Sequence, residues 1–322
     1  GCTMSREKTV VPPSQVVRLG RGVNLGNALE APREGEWGVT LKEEYFRLIK
    51  GAGFNSVRIP IRWSAHAAAE APYTIEPAFF ARVDWALNQA LSRGLVAVIN
   101  MHHYDELAQD PSAHRERFLA LWQQIAEHYR KHSPSLLFEP LNEPHDKLTS
   151  DVWNPLVKET LHIIRQSNPN RDVVIGSVNW SSASTLKELD LPAEDRHIIV
   201  TFHYYNPFPF THQGAEWVSG SNAWLGTKWT GSQWEKLAIT YDFDSAARWA
   251  EQNGRPLYLG EFGAYSKADM ASRAAWTAFI ARQAEERGMS WAYWEFCAGF
   301  GIYNQATATW NTPLLEALIP PK

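Results

Sequence analysis

Eight short apolar segments, each followed by a longer amphipathic segment, run along most of this 322-residue chain. The apolar segments are rich in β-branched and aromatic residues, and the intervening segments carry apolar residues at helical spacing. Strands separated by crossover helices pair in parallel. Runs as continuously apolar as residues 96–99 are typical of a sheet that is covered on both faces. The predicted strands are residues 22–28, 56–63, 96–104, 136–144, 172–180, 198–206, 257–265 and 290–296.

The number and order of these segments predict an α/β fold, a single (β/α)8 TIM barrel. The length of residues 16–322 suits one such barrel, and residues 1–15 are predicted to form a flexible N-terminal tail. The alternative is an open, doubly wound sheet. That fold normally carries a glycine-rich phosphate-binding turn after its first strand, and the segment 22–27, GVNLGN, lacks GxGxxG spacing. The barrel is therefore favoured.

Local signals predict where helices begin and end. Thr40 and Glu43 have the spacing of a capping box. Pro77 suits the first position of the next helix, and Gly94 is placed to end it. These signals support helices between the predicted strands.

The connection after the sixth predicted strand, residues 207–241, is long, polar and rich in glycine, serine and tryptophan. A long ordered loop in a compact domain is more often functional than not. Trp224, Trp229 and Trp234 fit two interpretations equally well. They line a cleft, or they form a small satellite core under the loop.

Polar and aromatic residues gather where the predicted strands end. In a (β/α)8 barrel the C-terminal ends of the strands meet at one face, which carries the active site. Packing alone does not explain such a set, so this face is predicted to carry chemistry. The residues at or near these ends include Arg58, His102, His103, Asn142, Glu143, Trp180, His203, Tyr205, Glu261 and Trp294.

Two carboxylates, Glu143 and Glu261, stand out because an apolar strand is a costly place for a charge that is neither paired nor used. A pair of carboxyls with pKa values pushed apart is what glycoside hydrolysis requires. The alternative is a structural ion pair with Arg58 or with Arg62. For Glu139, which lies inside the fourth predicted strand, the ion pair is the preferred interpretation.

The neighbouring His102 and His103 do not predict a metal site. Adjacent residues on a strand point to opposite faces, so they are poorly placed to share one ion. Hydrogen bonding to hydroxyls or to the carboxylates is the better interpretation. The sequence has no GxSxG nucleophile elbow and no nucleotide-binding motif. No metal and no cofactor are therefore predicted.

The net charge of −4 gives no electrostatic reason to expect nucleic acid as a partner. No apolar run approaches the length of a transmembrane span. The two cysteines, Cys2 and Cys297, are not expected to form a disulfide. The opening Gly1-Cys2-Thr3 resembles the residues around a bacterial lipoprotein cleavage site. We therefore expect a secreted, periplasmic or cell-surface protein, with lipid anchoring through Cys2 as a weaker hypothesis.

Five motifs, in the expected order and at the expected strands, resemble those of glycoside hydrolase family 5. They are Arg58-Ile59-Pro60, Leu141-Asn142-Glu143-Pro144, Phe202-His203-Tyr204-Tyr205, Gly260-Glu261-Phe262-Gly263 and Trp291-Ala292-Tyr293-Trp294-Glu295. The resemblance covers about residues 20–319. The segments 22–30 and 211–217 narrow it to bacterial endoglucanases, a branch that includes enzymes accepting both β-1,4-glucan and β-1,4-mannan.

The resemblance implies a role for each matching residue. Glu143 would be the general acid/base and Glu261 the nucleophile of a retaining enzyme. Arg58 and Tyr205 would keep Glu261 ionised, Asn142 would bind the sugar 2-hydroxyl, and His203 would set the protonation of Glu143. The substrate-binding residues would be Asn27, Glu30, His102, His103, Trp180, His212, Trp217 and Trp294.

The implied substrate is a β-1,4-linked polysaccharide, which the enzyme would cut internally, acting as a monomer. The alternative within enzymes is a dedicated β-mannanase, because glucose and mannose differ only at the 2-hydroxyl. A β-1,3-glucanase ranks third. The alternative from another class is a non-catalytic carbohydrate-binding barrel, which would keep the aromatic residues and lose a carboxylate.

Overall fold

The computed structural model describes residues 18–322, in which eight parallel strands form a closed barrel with helices between them. The predicted (β/α)8 architecture is therefore confirmed. The predicted tail, residues 1–15, and the predictions about Cys2 lie outside the described residues. Cys297 is a buried free thiol.

Each strand begins within two residues of its predicted start and ends earlier than predicted. The strands are β1 (Arg21–Asn24), β2 (Ser56–Ile59), β3 (Val96–Asn100), β4 (Leu136–Glu139), β5 (Val173–Gly176), β6 (Ile198–Tyr204), β7 (Leu257–Phe262) and β8 (Ser290–Tyr293). A small hairpin follows, made of β9 (Tyr303–Asn304) and β10 (Thr309–Trp310). The candidate site residues that were assigned to strand ends thus lie mostly on the loops just beyond them.

The helices cover the outside of the barrel. They are α1 (Glu43–Ala52), α2 (Pro77–Leu91), α3 (Asp105–Gln109), α4 (Pro111–His128), α5 (Ser150–Ser167), α6 (Val178–Ser181), α7 (Phe208–Thr211), α8 (Gln233–Asn253), α9 (Met270–Glu286) and α10 (Thr312–Leu318), with 3₁₀ turns at Trp63–His66, Ala183–Glu188 and Ser221–Trp224. Among these helices none is both long and apolar enough to cross a membrane.

One predicted helix signal is confirmed and another is wrong. Pro77 is the first residue of α2, where its missing N–H costs nothing. The capping box at Thr40 and Glu43 does not form, because α1 begins at Glu43 and its N-cap is Lys42. Glu43 and Glu44 still lie in the first turn, where a negative charge is favourable beside the helix dipole.

Inside the barrel, one apolar layer lies toward the N-terminal ends of the strands. Charged side chains lie nearer the C-terminal ends. Val98, Leu137, Val174 and Ile199 are fully buried or nearly so in this layer. Arg58 is paired in register with Val98, and its side chain is completely buried. The change from aliphatic to ionic contacts marks the floor of the functional face.

The long connection after β6 is shorter than predicted, because α8 begins at Gln233 rather than after residue 241. A capping box of Ser232 and Glu235 starts this helix. Trp229 is 2% exposed and packs on Phe279, so it belongs to the core. Trp224 packs edge-on against Phe208. Trp234 is 80% exposed, so it neither belongs to the core nor packs against a neighbouring ring of the described chain.

Candidate active site

A cleft of about 1030 Å³ opens at the C-terminal ends of the strands. All the predicted substrate-binding residues line it, and so do Glu143, His203, Tyr205 and Glu261. Arg58 and Asn142 lie beneath this lining and are buried. The structure therefore brings the predicted site residues together at one face of the barrel.

Glu143 and Glu261 face each other across the cleft floor. One carboxylate oxygen of each residue lies within 4.8 Å of the other and of a ring nitrogen of His203. Glu143 follows β4 on a loop and has a φ of +43°, which is uncommon for a residue other than glycine. Such strained backbone is often found at functional sites. The Glu143 side chain is 24% exposed and that of Glu261 is 6% exposed, so both can be reached from the cleft.

An irregularity between β6 and β7 places His203 beside Glu261. Phe202 pairs with Leu259, but His203 pairs with Glu261, so Gly260 is an extra residue in β7. A Cβ atom at Gly260 would lie 2.8 Å from the Thr201 hydroxyl and 3.1 Å from Nε2 of His203. The glycine before Glu261 is therefore required for this close approach.

Glu261 is held by two strong donors. Nη1 of Arg58 donates to Oε2 at 2.8 Å, and the hydroxyl of Tyr205 donates to Oε1 at 2.8 Å. Burial by itself would raise the pKa of Glu261, but the charges of His203 and Arg58 and these hydrogen bonds outweigh it and lower the pKa. Glu261 is therefore ionised at neutral pH.

Arg58 connects the floor of the cleft to the barrel interior. Its guanidinium donates to both oxygens of Glu139, at 2.8 and 2.6 Å, and to Oδ1 of Asn142 at 2.8 Å. The predicted ion pair of Glu139 is confirmed. The Arg58–Glu261 ion pair also exists, so Glu261 is both a paired carboxylate and a cleft residue.

Glu143 has the opposite electrostatic environment. Burial and the negative charge of Glu261 raise its pKa, against the effect of His203 and Arg58. Nδ1 of His203 lies 2.7 Å from Oε2 of Glu143. Burial would lower the pKa of His203, but the charges of Glu261 and Glu143 raise it. The Glu143–His203 pair therefore retains a proton next to an ionised Glu261, which is the arrangement needed for combined acid and nucleophilic chemistry.

His102 and His103 both line the cleft, although they are adjacent in sequence. The prediction that they point to opposite faces is wrong, because β3 ends at Asn100 and the chain has already left the sheet. Asn100 donates from Nδ2 to Nδ1 of His102 at 2.9 Å. That bond leaves Nε2 of His102 protonated, 3.9 Å from Oε2 of Glu261. Burial lowers the pKa of both imidazoles, that of His103 to about 4, so they are neutral at physiological pH.

Aromatic rings form the floor and walls of the cleft. Trp294 stacks on His102 with ring centroids 5.5 Å apart. Trp180 is 54% exposed and stacks on His145. Trp217 is 60% exposed and contacts His212 edge-on. Exposed flat rings in a cleft with few charges suit pyranose rings, whose C–H faces pack on aromatic surfaces.

Glu143, His203 and Glu261 could in principle ligate a metal, since their ligand atoms lie within 4.8 Å of one another. The guanidinium of Arg58, however, already lies 2.8 Å from the Glu261 carboxylate. Its positive charge, with the proton shared by Glu143 and His203, opposes binding of a cation here. The absence of a metal and of any other cofactor stays a prediction.

Glu30 is almost completely buried, although it was predicted to bind substrate. Its two carboxylate oxygens accept the backbone N–H groups of Asn27 and Ala28, at 2.8 and 2.7 Å. Burial raises the pKa of Glu30 to about 7, against these hydrogen bonds. The clearest contribution of Glu30 is to hold the loop that presents Asn27 to the cleft.

Several residues that line the cleft were not predicted from the sequence. Trp37 is 41% exposed, packs on His103, and has Arg62 above its ring at 5.3 Å. Its position in a polar loop could have indicated a binding role, because a tryptophan in such a loop has few apolar residues to pack against. Glu295 gave no such signal, since it lies next to Trp294 in an apolar motif. The other missed residues of the lining include Asp242, Tyr265 and Phe300.

Glu295 is buried beside the cleft with one oxygen satisfied. Its Oε1 accepts the N–H groups of Ala298 and Phe300, whereas Oε2 has no hydrogen-bond partner among residues 18–322. Burial raises the pKa of Glu295 to about 8, despite the two backbone hydrogen bonds. The folded protein therefore holds a proton here that an unfolded chain releases at a pH near 4.5.

This raised pKa predicts how stability depends on pH. The contribution of neutral Glu295 is complete below the unfolded pKa and is lost as the pH rises through about 8. Glu295→Gln keeps the shape of the neutral acid and cannot ionise. We expect the Tm of the variant to rise relative to that of the parent between pH 5 and pH 8, as measured by calorimetry. Parallel Tm curves would mean that Glu295 is not the group that loses the proton.

Comparison with known proteins places the chain among enzymes of one family. Residues 20–299 match the family described as cellulase (glycosyl hydrolase family 5). Endoglucanase H of Acetivibrio thermocellus is 40% identical over 323 residues, which are 98% of this chain and 34% of that protein. The cellulase/esterase CelE of the same organism is 30% identical over 92% of this chain and 39% of its own length. The chain thus spans little more than a third of either curated relative.

Solved structures agree with this match. The Cel5A structure of Thermotoga maritima in complex with mannotriose has a TM-score of 0.94 and 54% identity, over 96% of this chain and 100% of that one. A Cel5A structure of the same organism in complex with cellobiose has the same TM-score, identity and coverage. With the matched family, the barrel and the two facing glutamates in agreement, this chain belongs to glycosyl hydrolase family 5.

Proposed function

We propose that the protein is a retaining endo-β-1,4-glycanase that cuts glucans of the cellulose type and also accepts mannans. The observation that carries the proposal is the Glu143–Glu261 pair, with oxygens within 4.8 Å of each other and pKa values displaced in opposite directions. Retaining enzymes hold their two carboxyl groups about 5–5.5 Å apart, and inverting enzymes hold them farther apart. The endoglucanase names of the relatives support the choice of substrate.

The two carboxyls would act in two steps. Glu261 attacks the anomeric carbon while Glu143 donates its proton to the glycosidic oxygen, so the C–O bond to the leaving sugar breaks and a glycosyl ester forms. Glu143 then removes a proton from water, which attacks the same carbon and releases Glu261. Arg58 and Tyr205 keep the nucleophile ionised and oriented, and His203 holds the proton that Glu143 needs.

The surrounding residues would bind the sugars. Oδ1 of Asn142 accepts from Arg58, so its amide N–H groups remain for the sugar 2-hydroxyl. Trp294 would stack under the sugar at the point of cleavage, with His102 and His103 on its hydroxyls. Farther along the cleft, the binding residues would be Asn27, Trp180, His212 and Trp217, with Glu30 fixing the loop of Asn27.

Acceptance of both sugars has a physical basis in the neutral imidazoles. The neutral imidazole of His103 offers one donor and one acceptor nitrogen, so it can bind a hydroxyl in either orientation, whereas His102 offers only the N–H of Nε2 because its Nδ1 accepts from Asn100. The similar Cel5A structures of Thermotoga maritima, in complex with cellobiose and with mannotriose, support acceptance of both sugars. A dedicated mannanase would need contacts that reject the equatorial 2-hydroxyl of glucose.

The test is the ratio of kcat/KM on soluble β-1,4-glucan to kcat/KM on β-1,4-mannan, with Glu143→Gln as the blank. We expect turnover of both polymers and a rapid fall in viscosity, with the β-anomer of the product seen first by NMR. A ratio near zero would establish the dedicated mannanase. An unchanged polymer after long incubation with folded protein would establish a non-catalytic binding barrel.

We also propose that residues 16–322 act as one catalytic unit, as a monomer, outside the cytoplasm. A polymeric substrate cannot cross a membrane intact, so its hydrolase must be exported or displayed. Light scattering after size exclusion tests the monomer, and fractionation of the native cells tests the location. A stable dimer, or an enzyme confined to the cytoplasm, would contradict this proposal.

A further inference from the structure

Helix α8 has a second apolar face, on its outer side, that is largely exposed to solvent. Its inner face is buried through Ile239, Phe243 and Ala246. On its outer side, Trp234 is 80% exposed, Tyr241 is 75% exposed and Leu237 is 48% exposed. Single exposed apolar residues are ordinary, but a contiguous apolar patch on a helix marks an interaction surface. We call these three residues and the exposed Ala238 the outer face of α8.

The spacing of the two rings suits an extended polysaccharide. Trp234 and Tyr241 are seven residues apart, so they lie on the same side of the helix and about 10 Å apart along its axis. In a β-1,4-linked ribbon each sugar is turned over relative to the next, so the same ring face recurs at every second sugar. Two aromatic rings whose separation is close to the length of two successive sugars can therefore each pack on one sugar of a single chain.

The outer face of α8 continues one end of the cleft. Asp242 lines the cleft and accepts a hydrogen bond from the hydroxyl of Tyr204 at 2.7 Å. Trp234, Ala238 and Asp242 are each four residues apart, so they follow one ridge of the helix. A chain that passes over Asp242 on its way out of the cleft therefore meets Ala238 and Trp234 next.

This end of the cleft is on the side of the acid/base residue. The N–H of Trp180 donates to the carbonyl of Pro144, the residue after Glu143. The 3₁₀ turn Ala183–Glu188 packs against α8, and its first residues, Ala183 and Ser184, line the cleft. Glu143 protonates the leaving oxygen, so the part of the polysaccharide that departs first would exit here.

We propose that the outer face of α8 is an accessory, non-catalytic binding site for a β-1,4-linked polysaccharide chain, which it holds on the leaving-group side of the cleft. This inference rests on the proposed function. The site would raise the affinity for long chains and would not touch the short oligosaccharides that fit inside the cleft.

The test compares polymer binding with oligosaccharide turnover in the double variant Trp234→Ala/Tyr241→Ala. Binding is measured by retardation in native gels that contain soluble β-1,4-glucan, with Glu261→Ala in every chain so that nothing is hydrolysed. We expect about tenfold weaker retardation from the loss of two stacked rings. In the active background, kcat/KM on cellotetraose should stay unchanged. Val152→Ala, an exposed apolar residue on α5, is the matched control.

Three outcomes would overturn the inference, each in its own way. Retardation equal to that of Val152→Ala would show that the face does not bind the polymer. An equal loss on cellotetraose would place the two rings in the catalytic cleft or in the fold. A parent dimer that becomes a monomer in the double variant would make the face an interface between two copies. If the parent is retarded but cleaves neither polymer, the proposed function fails while the binding site stands.

Discussion

Replacing Glu261 with alanine should lower kcat/KM on β-1,4-glucan by on the order of 10⁴-fold or more, as losses of this kind do in other enzymes with covalent catalysis. The carbon that Glu261 attacks would have no nucleophile, and the remaining groups cannot replace it. The fold should persist, because Arg58 keeps both of its bonds to Glu139. Calorimetry should therefore find a cooperative transition for the variant.

Added azide turns this loss into a test of which glutamate has which role. Azide is small enough to occupy the space that the lost carboxylate leaves. With an aryl β-cellobioside, whose leaving group needs no acid, azide in Glu261→Ala should attack the face that Glu261 used and give the α-glycosyl azide. In Glu143→Ala the glycosyl ester still forms, and azide should then give the β-glycosyl azide. The opposite products would mean that the two roles are reversed.

The matched control for both variants is Glu216→Ala. Glu216 is exposed near the same face, pairs with Lys267 at 2.8 Å and accepts a hydrogen bond from the hydroxyl of Tyr265 at 2.7 Å. This variant should keep most of the parent's activity, with no effect of azide. A loss as large as that of Glu261→Ala would show that any carboxylate deleted near this face disables the enzyme.

The barrel could be predicted from the sequence because the strands are continuously apolar. The residues at which the strands end could not be predicted. Met101 and Leu141 lie beyond the ends of β3 and β4 and are still buried, at 0% and 5% exposed. The apolar pattern therefore continues into loops that fold back over the barrel. Hydrogen bonding between strands stops earlier than burial does, and only the structure separates the two.

The two facing carboxylates could be identified from the sequence, and much of their surroundings could not. Glu143 and Glu261 are chemically conspicuous in apolar segments. The position of His203 depends on an extra residue at Gly260, and a register shift leaves no mark on the alternation of a fully buried strand. The start of α8 at Gln233 was also missed. This helix carries apolar residues on two sides, so the helical spacing of its apolar residues is not visible in the sequence.

Arg58→Ala should be the most damaging single change to the barrel interior. Arg58 is completely buried and donates to Glu139, Glu261, Asn142 and Asn24. Its loss takes a donor from two buried carboxylates and from two amides. Removing one partner of a buried ion pair costs about 3–5 kcal/mol, so we expect the free energy of unfolding to fall by about that amount. Urea denaturation measures it.

A double variant separates the structural role of Arg58 from its catalytic role. Arg58→Met/Glu139→Leu removes the Arg58–Glu139 ion pair as a whole, and replacing such a pair with apolar residues is often neutral. We therefore expect it to recover much of the lost stability and none of the activity, since Glu261 still lacks its guanidinium. If stability did not recover, the damage in Arg58→Ala would come from packing or from the lost ion pair with Glu261, rather than from the unpaired Glu139.

Arg58→Lys tests whether Arg58 also acts on the nucleophile. Lysine keeps the positive charge but lacks the planar guanidinium with its paired donors. Arg58 is among the groups that lower the pKa of Glu261, so weakening its hold should raise that pKa. Glu261 must be ionised to attack, so activity is lost as the pH falls through its pKa. The acid limb of the kcat/KM profile should therefore move to higher pH in Arg58→Lys. An unmoved acid limb would mean that Tyr205 and His203 suffice to keep the nucleophile ionised.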